Sequence, residues 1–229
     1  MSNKTKISDP SSAGNVYLIF YNVFLTLGWL IVLIQTTHHL IYEGGNLKGL
    51  WESTSSVLMI AQTLAVLEIV HAAVGLVPSS VIMVVPQVFS RLMVLWPVLY
   101  TFKGTHTSLG LPLLLVAWSV TEVIRYSFYF LNILKQVPHI LTFLRYTLFI
   151  VLYPVGVTGE LLCVYAAFPD AARTRVYSIT FPNALNFSFD FYYALIIFVL
   201  LYIPCFPMLY MHMFALRHKV LGNTQKKRE

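Results

Sequence analysis

Charged residues are scarce in this sequence. Only 10% of the 229 residues are charged, whereas about 25% are charged in an ordinary soluble domain. Hydrophobic residues make up 58% of the chain, and they occur in runs near the ~20 residues that a helix needs to cross a bilayer. The alternation of apolar and polar residues that is typical of membrane strands is missing. The sequence therefore predicts an all-α, multi-pass membrane bundle.

Other signals are equally sparse. The chain has two cysteines, Cys163 and Cys205, and both lie inside predicted spans, which argues against a disulfide framework. It has no glycine-rich nucleotide fingerprint, no metal-ligand cluster and no internal repeat, so neither a cofactor nor a metal is expected. The formal charge is +6, but the basic residues lie at the ends of the apolar runs, so nucleic acid is not an expected partner.

We predict six membrane spans in one domain. They cover about residues 16–36, 56–77, 81–100, 109–130, 143–165 and 190–214. Residues 15–216 form this membrane domain, between a polar tail over residues 1–14 and a basic tail over residues 217–229. Prolines within the spans are expected to kink them. These prolines are Pro86, Pro97, Pro154, Pro204 and Pro207.

The basic residues also predict an orientation and a location. Of the fifteen lysines and arginines, ten lie at the ends of one side of the predicted bundle and four at the other, with Arg91 inside span three. Because Lys and Arg accumulate in cytosolic loops, both tails are expected in the cytosol. Lys226 and Lys227 resemble the dilysine signal of endoplasmic reticulum proteins, although a basic tail beside anionic lipid is the alternative. The expected location is the endoplasmic reticulum membrane.

Span five carries a tyrosine and a carboxylate. Tyr153 and Glu160 are seven residues apart, almost two helical turns, so they fall on one helix face about 10 Å apart along the axis. A carboxylate at that depth is costly unless it has a partner or a function. Between them, Pro154, Gly156 and Gly159 would let a chain-like ligand approach closely, or would let helices pack closely.

Two further pairs of charged or titratable residues have helical spacing. Glu68 and His71 are three residues apart, as are Glu122 and Arg125, so each pair can meet on one helix face. For Glu68 with His71, a structural pairing is favoured slightly over a catalytic part. Arg91 has no partner on its own helix and is expected to meet Glu68 or Glu122 from another span.

A set of basic and aromatic residues lies near the predicted cytosolic ends of spans four and five. The arginines of this set would extend toward lipid phosphates, or they would hold phosphate groups of a cytosolic ligand. The sequence leaves these two interpretations balanced. The residues of this basic mouth are Arg125, Tyr126, Lys135, Arg145 and Tyr146.

Four segments together resemble one known family. They are residues 62–71 (QTLAVLEIVH), 87–91 (QVFSR), 122–129 (EVIRYSFY) and 145–160 (RYTLFIVLYPVGVTGE). In this order they are similar to the very-long-chain (3R)-3-hydroxyacyl-CoA dehydratase family, which is also described as protein tyrosine phosphatase-like. The resemblance covers most of the chain from span two through span five.

The resemblance implies an enzyme of the third step of fatty-acid elongation. It would remove water from a very-long-chain 3-hydroxyacyl-CoA to give a trans-2-enoyl-CoA, in membrane lipid and beside the elongase and reductases of the cycle. The catalytic tyrosine and glutamate of the family map onto Tyr153 and Glu160. We expect Glu160 to take the C2 proton and Tyr153 to assist departure of the hydroxyl, and the reverse assignment stays open. Candidate substrate contacts are Arg125, Tyr126, Lys135, Arg145, Tyr146 and Gly156.

Three other functions are weaker. A cysteine phosphatase needs an arginine five intervening residues after its thiolate, but Pro169 follows Cys163 at that spacing and Met211 follows Cys205. A lipid or solute transporter would suit kinked spans with buried charges, but transporters commonly show paired repeats. In a non-catalytic scaffold of the elongation complex, Tyr153 and Glu160 would only pack helices.

Overall fold

The computed structural model describes residues 12–182 and 186–225. The predicted dilysine pair and most of the amino-terminal tail lie outside these residues. The described ranges contain eight α-helices. Their bounds are α1 Ala13–Tyr42, α2 Leu50–Leu64, α3 Val66–Ala73, α4 Val81–Met93, α5 Gly110–Ile133, α6 His139–Arg145, α7 Phe149–Thr174 and α8 Phe191–Gln225.

Six helical stretches are long and apolar enough to cross a membrane, which confirms the predicted fold class. Within the described residues they are Ala13–Tyr42, Leu50–Ala73, Val81–Tyr100, Gly110–Ile133, Phe149–Thr174 and Phe191–Leu221. Large apolar side chains on the outside of the bundle, such as Phe20, Ile82 and Ile203, are strongly exposed. Such an apolar exterior fits contact with lipid chains.

The predicted start of span five was wrong. Residues 139–145 form the separate helix α6, and the chain leaves helical geometry at Tyr146 (φ −97°, ψ 10°) before α7 begins at Phe149. The apolar run alone concealed this break, because both pieces are hydrophobic. The first and last spans are instead longer than predicted, since the helical pattern continues past the apolar run at their ends.

One of the prolines within the spans coincides with an irregular helix. Residues Val94–Tyr100 continue α4 as a π-helical segment that contains Pro97. Proline supplies no N–H and its ring displaces the preceding carbonyl, so a wider turn is one way for the chain to pass through it. Pro86 and Pro154, in contrast, lie inside α4 and α7, and both helices continue past them.

The core lies around α5, which packs against α1 on one side and α7 on the other. Fully buried side chains such as Trp29, Leu115 and Leu95 fill this contact region. The last helix, α8, packs chiefly against α7, and most of its surface stays exposed. The bundle therefore has a tightly packed centre and one peripheral helix whose inner side covers α7.

Two glycines let α5 and α7 approach closely. A Cβ atom added to Gly159 would lie 2.6 Å from the backbone nitrogen of Leu114, and one added to Gly110 would lie 2.5 Å from the carbonyl oxygen of Gly159. Both contacts are with backbone, which cannot move aside as a side-chain tip can. The helix-packing alternative for Gly159 is therefore the one that the structure adopts.

We expect Gly159→Ala to destabilise the bundle because its methyl group would push α5 and α7 apart. Overpacking of this kind costs about 1–3 kcal/mol, visible as a lower thermal unfolding temperature of the detergent-solubilised protein. Gly28→Ala is the matched control, since its added Cβ would lie 3.6 Å from the Ala61 Cβ, at ordinary contact distance. Equal unfolding temperatures for the two variants would contradict the proposed close packing.

Candidate active site

Glu160 lies on α7 with both carboxylate oxygens occupied. It is 8% exposed. The indole Nε1 of Trp118 on α5 donates to Oε1 at 2.8 Å, and the hydroxyl of Tyr202 on α8 donates to Oε2 at 2.5 Å. Both donors are neutral, and the described residues include no ion pair to Glu160. A buried carboxylate is thus fixed in orientation by hydrogen bonds from two neighbouring helices, without a cation to neutralise it.

Tyr153 lies on the same helix and also faces α8. Its ring stacks on Phe206 at a centroid distance of 5.2 Å and on Tyr210 at 5.9 Å, with interplanar angles of 11° and 6°. Within residues 12–182 and 186–225, its hydroxyl has no hydrogen-bond partner. The structure therefore places Tyr153 and Glu160 on the side of α7 that α8 covers, with the tyrosine hydroxyl available to a ligand.

A partly buried ion-pair network joins three helices next to this site. Glu122 on α5 is 1% exposed; it accepts from Arg91 of α4 and, at 2.7 Å, from Nε of Arg125. The Nη2 of Arg125 also donates to Glu68 of α3 at 2.8 Å, and the Tyr126 hydroxyl donates to the same glutamate oxygen. Two arginines and two glutamates balance in charge, which is how buried charges are accommodated.

Trp118 links the ion-pair network to the Glu160 carboxylate. The guanidinium carbon of Arg91 lies 5.4 Å from the centre of the Trp118 ring, within the range of a cation–π contact. The same indole carries the N–H that donates to Glu160. Arg91 thus supports the side chain that orients the carboxylate while its own charge is neutralised by Glu122.

Arg145 lies at the end of α6, near the end of α5. Its guanidinium carbon is 5.0 Å from the ring centre of Phe128, 4.8 Å from Tyr129 and 5.8 Å from Tyr146. Its Nη2 donates to the Tyr129 hydroxyl at 3.1 Å. In the described part of the chain Arg145 forms no ion pair. Arg145 is a cation among three aromatic rings, and no carboxylate of the described residues neutralises its charge.

The arrangement of Glu160 and Tyr153 is suited to proton transfer. A carboxylate and a tyrosine hydroxyl on one helix face can each exchange a proton with a bound ligand. Among the residues that the structure describes, no group of three or more His, Cys, Asp or Glu side chains is placed to hold a metal ion.

Comparison with known families identifies the chain. The family model described as "Protein tyrosine phosphatase-like protein, PTPLA" matches residues 62–223. The chain belongs to this family. The matched residues run from α2 to α8 and include Glu160, Tyr153, Trp118 and Tyr202.

Curated relatives with one shared description match nearly the whole chain. Very-long-chain (3R)-3-hydroxyacyl-CoA dehydratase 2 of Mus musculus is 43% identical over 98% of this chain and 88% of the relative. Very-long-chain (3R)-3-hydroxyacyl-CoA dehydratase hpo-8 of Caenorhabditis elegans is 48% identical over 93% of this chain and 98% of the relative. The dehydratase PASTICCINO 2 of Arabidopsis thaliana is 39% identical over 93% and 96%. No solved structure matches the chain.

The phosphatase-like description of the PTPLA family has no counterpart in the cysteines here. Cys163 is fully buried in the core and Cys205 is exposed on α8, and both are free thiols. Neither thiol is followed by the arginine that a cysteine phosphatase requires at its fixed spacing.

The predicted pairing of Glu68 with His71 is wrong in this PTPLA bundle. Glu68 turns to Arg125 and Tyr126, while Nε2 of His71 forms a hydrogen bond with the Tyr17 hydroxyl of α1 at 2.9 Å. A permanently charged guanidinium is a stronger partner for a buried carboxylate than an imidazole. Of the two carboxylates expected for Arg91, Glu122 is the one that it meets.

Three of the predicted substrate contacts are engaged elsewhere in the PTPLA fold. The guanidinium of Arg125 is bound to two carboxylates, and Tyr126 is buried with its hydroxyl on Glu68. Gly156 packs against α5, where an added Cβ would lie 3.4 Å from the Ala117 Cβ. Arg125 is therefore not a free cation in this network. Lys135, Arg145 and Tyr146 remain as predicted residues of the basic mouth.

Sequence reasoning missed Trp118 and Tyr202. Each lies inside an apolar span, where an aromatic side chain is usually explained by packing. The indole N–H of Trp118 and the hydroxyl of Tyr202 could have indicated their role. A buried N–H or O–H needs a hydrogen-bond acceptor when no water is near. Among the described residues, the buried carboxylates are Glu122 and Glu160.

Proposed function

We propose that this chain is a very-long-chain (3R)-3-hydroxyacyl-CoA dehydratase, a hydro-lyase of the fatty-acid elongation cycle. The observation that carries the proposal is the buried Glu160 carboxylate, held by neutral donors. It lies on the same side of α7 as the Tyr153 hydroxyl, which has no hydrogen-bond partner among the described residues. Relatives that carry this description are 39–48% identical to the chain. The product is the trans-2-enoyl-CoA, and no cofactor is required.

The reaction needs two proton transfers. A base removes the C2 proton, the electron pair of that C–H bond becomes the C2–C3 double bond, and the C3–O bond breaks as an acid protonates the departing hydroxyl to give water. Glu160 and Tyr153 fill these two roles. We assign the C2 proton to Glu160 and the hydroxyl to Tyr153, and the reverse order uses the same two groups.

The depth of Tyr153 and Glu160 along α7 supports a substrate whose reacting carbons lie inside the bundle. Tyr153 lies about 6 Å beyond the start of α7 and Glu160 about 17 Å, at the usual rise per residue. The acyl end of the substrate must therefore enter the bundle, while the nucleotide end of coenzyme A stays outside near Lys135 and Arg145. With the basic residues concentrated at that end, this side faces the cytosol. The membrane is that of the endoplasmic reticulum, where elongase and reductases act on the neighbouring intermediates.

Arg145→Gln is expected to raise the KM for a coenzyme A ester several-fold more than the KM for the matching short pantetheine thioester. The reason is that Arg145, which forms no ion pair within the described ranges, offers its charge to the nucleotide phosphates. Steady-state kinetics on both substrates measure the difference. Arg175→Gln, an exposed arginine beyond the other end of α7, is the control. Equal changes in KM for both thioesters would exclude a phosphate contact at Arg145.

The proposed function is tested with purified protein in liposomes. Given a 3-hydroxyacyl-CoA and no nucleotide, the protein should form enoyl-CoA, seen by mass spectrometry and by the absorbance of the conjugated thioester. Protein-free liposomes and heat-unfolded protein serve as controls. Absence of enoyl-CoA from well-folded protein would favour a scaffold, and movement of substrate across the bilayer without conversion would favour a transporter.

A further inference from the structure

Three aromatic residues of α8 form one line along the helix that covers α7. Tyr202, Phe206 and Tyr210 are spaced four residues apart, so they fall on one face of a helix. We call them the aromatic stripe. On other faces of α8, Ile203 and Met211 are 70% and 65% exposed. The stripe is thus the part of this otherwise peripheral helix that is turned toward α7.

The stripe contacts both residues of the proposed catalytic pair. Tyr202 donates to Glu160 at 2.5 Å, and the rings of Phe206 and Tyr210 stack on Tyr153. Phe206 and Tyr210 also stack on each other, at 5.5 Å and 14°. Tyr202 lies opposite Glu160, and Phe206 and Tyr210 lie opposite Tyr153. One face of α8 therefore contacts two groups that are almost two turns apart on α7.

A second contact fixes the stripe along α7. The Tyr210 hydroxyl donates to the carbonyl oxygen of Ile150 at 3.0 Å. Ile150 lies in the first turn of α7, where Pro154 cannot donate the N–H that would normally bind this carbonyl. Tyr210 thus satisfies a backbone acceptor and sets the register between α7 and α8.

We propose that the aromatic stripe of α8 positions the two catalytic groups for proton transfer, Tyr202 by orienting the Glu160 carboxylate and Phe206 by fixing the plane of the Tyr153 ring. The inference rests on the proposed dehydratase function. Trp118 holds only one carboxylate oxygen, so without Tyr202 the other oxygen is free to turn. Proton transfer requires donor and acceptor within about 2.6–3.2 Å, and a misplacement of about 1 Å can reduce a rate about 10²-fold.

The first test compares Tyr202→Phe with Tyr193→Phe, a tyrosine on α8 that is 63% exposed. We expect Tyr202→Phe to lower kcat at least about tenfold with little change in KM, and to displace the pH dependence of kcat, because the hydroxyl binds the group that titrates in the reaction. Tyr193→Phe should retain the parental values. The folded fraction of each variant is measured by size-exclusion chromatography and thermal unfolding.

The second test concerns the ring stack. Phe206→Leu removes the aromatic plane against Tyr153 and should lower kcat with little change in KM, whereas Phe206→Tyr keeps the plane and should restore most of that loss. If Phe206→Leu has the same kcat as Phe206→Tyr, the aromatic plane is not needed and the proposed role of Phe206 is wrong.

The outcomes separate this inference from the function on which it rests. If the parental protein forms no enoyl-CoA, the dehydratase function fails. If the parental protein is active and Tyr202→Phe retains its kcat and pH profile, only the positioning role fails. A loss of kcat that equals the loss of folded protein, with the pH profile unmoved, would likewise reduce Tyr202 to a packing residue.

Discussion

Glu160→Gln is expected to lower kcat for dehydration by about 10²–10⁴-fold, the usual worth of one proton-transfer group. An amide neither accepts the C2 proton nor returns one to the substrate. It has nearly the same volume as the carboxylate, and its carbonyl oxygen can still accept the Trp118 N–H while its NH₂ group donates to the Tyr202 oxygen. The protein should therefore stay folded, so the loss is one of chemistry.

The measurement is the rate of enoyl-CoA formation at saturating substrate, with thermal unfolding of the same preparation. Glu43→Gln is the matched control, because this carboxylate is exposed just after α1 and should not affect the rate. A parental kcat for folded Glu160→Gln would remove Glu160 from the mechanism.

Tyr153→Phe is expected to have a loss of similar size, again about 10²–10⁴-fold in kcat. The substitution keeps the ring that stacks on Phe206 and Tyr210. It removes only a hydroxyl that has no hydrogen-bond partner among the described residues, so no buried group of the protein is left unsatisfied. Unfolding temperature should be unchanged, and the effect should appear in the rate alone.

Tyr165→Phe provides the control on the same helix, since Tyr165 is 73% exposed and lies beyond Glu160. If folded Tyr153→Phe turns over at the parental rate, the hydroxyl takes no part in the reaction. The pH dependence of the residual activity of Glu160→Gln and Tyr153→Phe also shows which residue is the base and which is the acid. The variant whose profile of kcat/KM against pH loses its acidic limb has lost the base, and the variant that loses the alkaline limb has lost the acid.

The Arg91–Glu122 contact belongs to the ion-pair network beside the site. Substitutions in this network are unsuited to testing the chemistry, because they affect folding. Removing Glu122 would leave the half-buried Arg91 without its carboxylate and Arg125 with only Glu68, and breaking such a pair by removing one partner is strongly destabilising in general. Loss of activity in a Glu122 variant would therefore report on folding. The residues suited to testing chemistry are Glu160, whose hydrogen-bond donors are neutral, and Tyr153, whose hydroxyl has no partner in the described part of the chain.

The sequence by itself determined the membrane fold and the spacing of the proposed catalytic pair. The thickness of a bilayer dictates how long an apolar helix must be, so six runs of apolar residues predict six spans. The positions of Tyr153 and Glu160 relative to each other depend on the periodicity of a single helix, which is a local property. Glu68 and His71 had helical spacing as well, but each found a better partner on another helix.

Only the tertiary structure decided which side chains meet between helices. Periodicity states which face a residue occupies but not which neighbour that face meets, since helix rotation and register follow from packing of the whole bundle. That packing selected Glu122 for Arg91 and brought Gly159 against Leu114. It also placed Tyr202 of α8, forty-two residues away in sequence, on the carboxylate of Glu160. The sequence of one helix was enough to predict that Tyr153 and Glu160 share a face. The residues that hold this pair in place could be identified only from the packing of the helices.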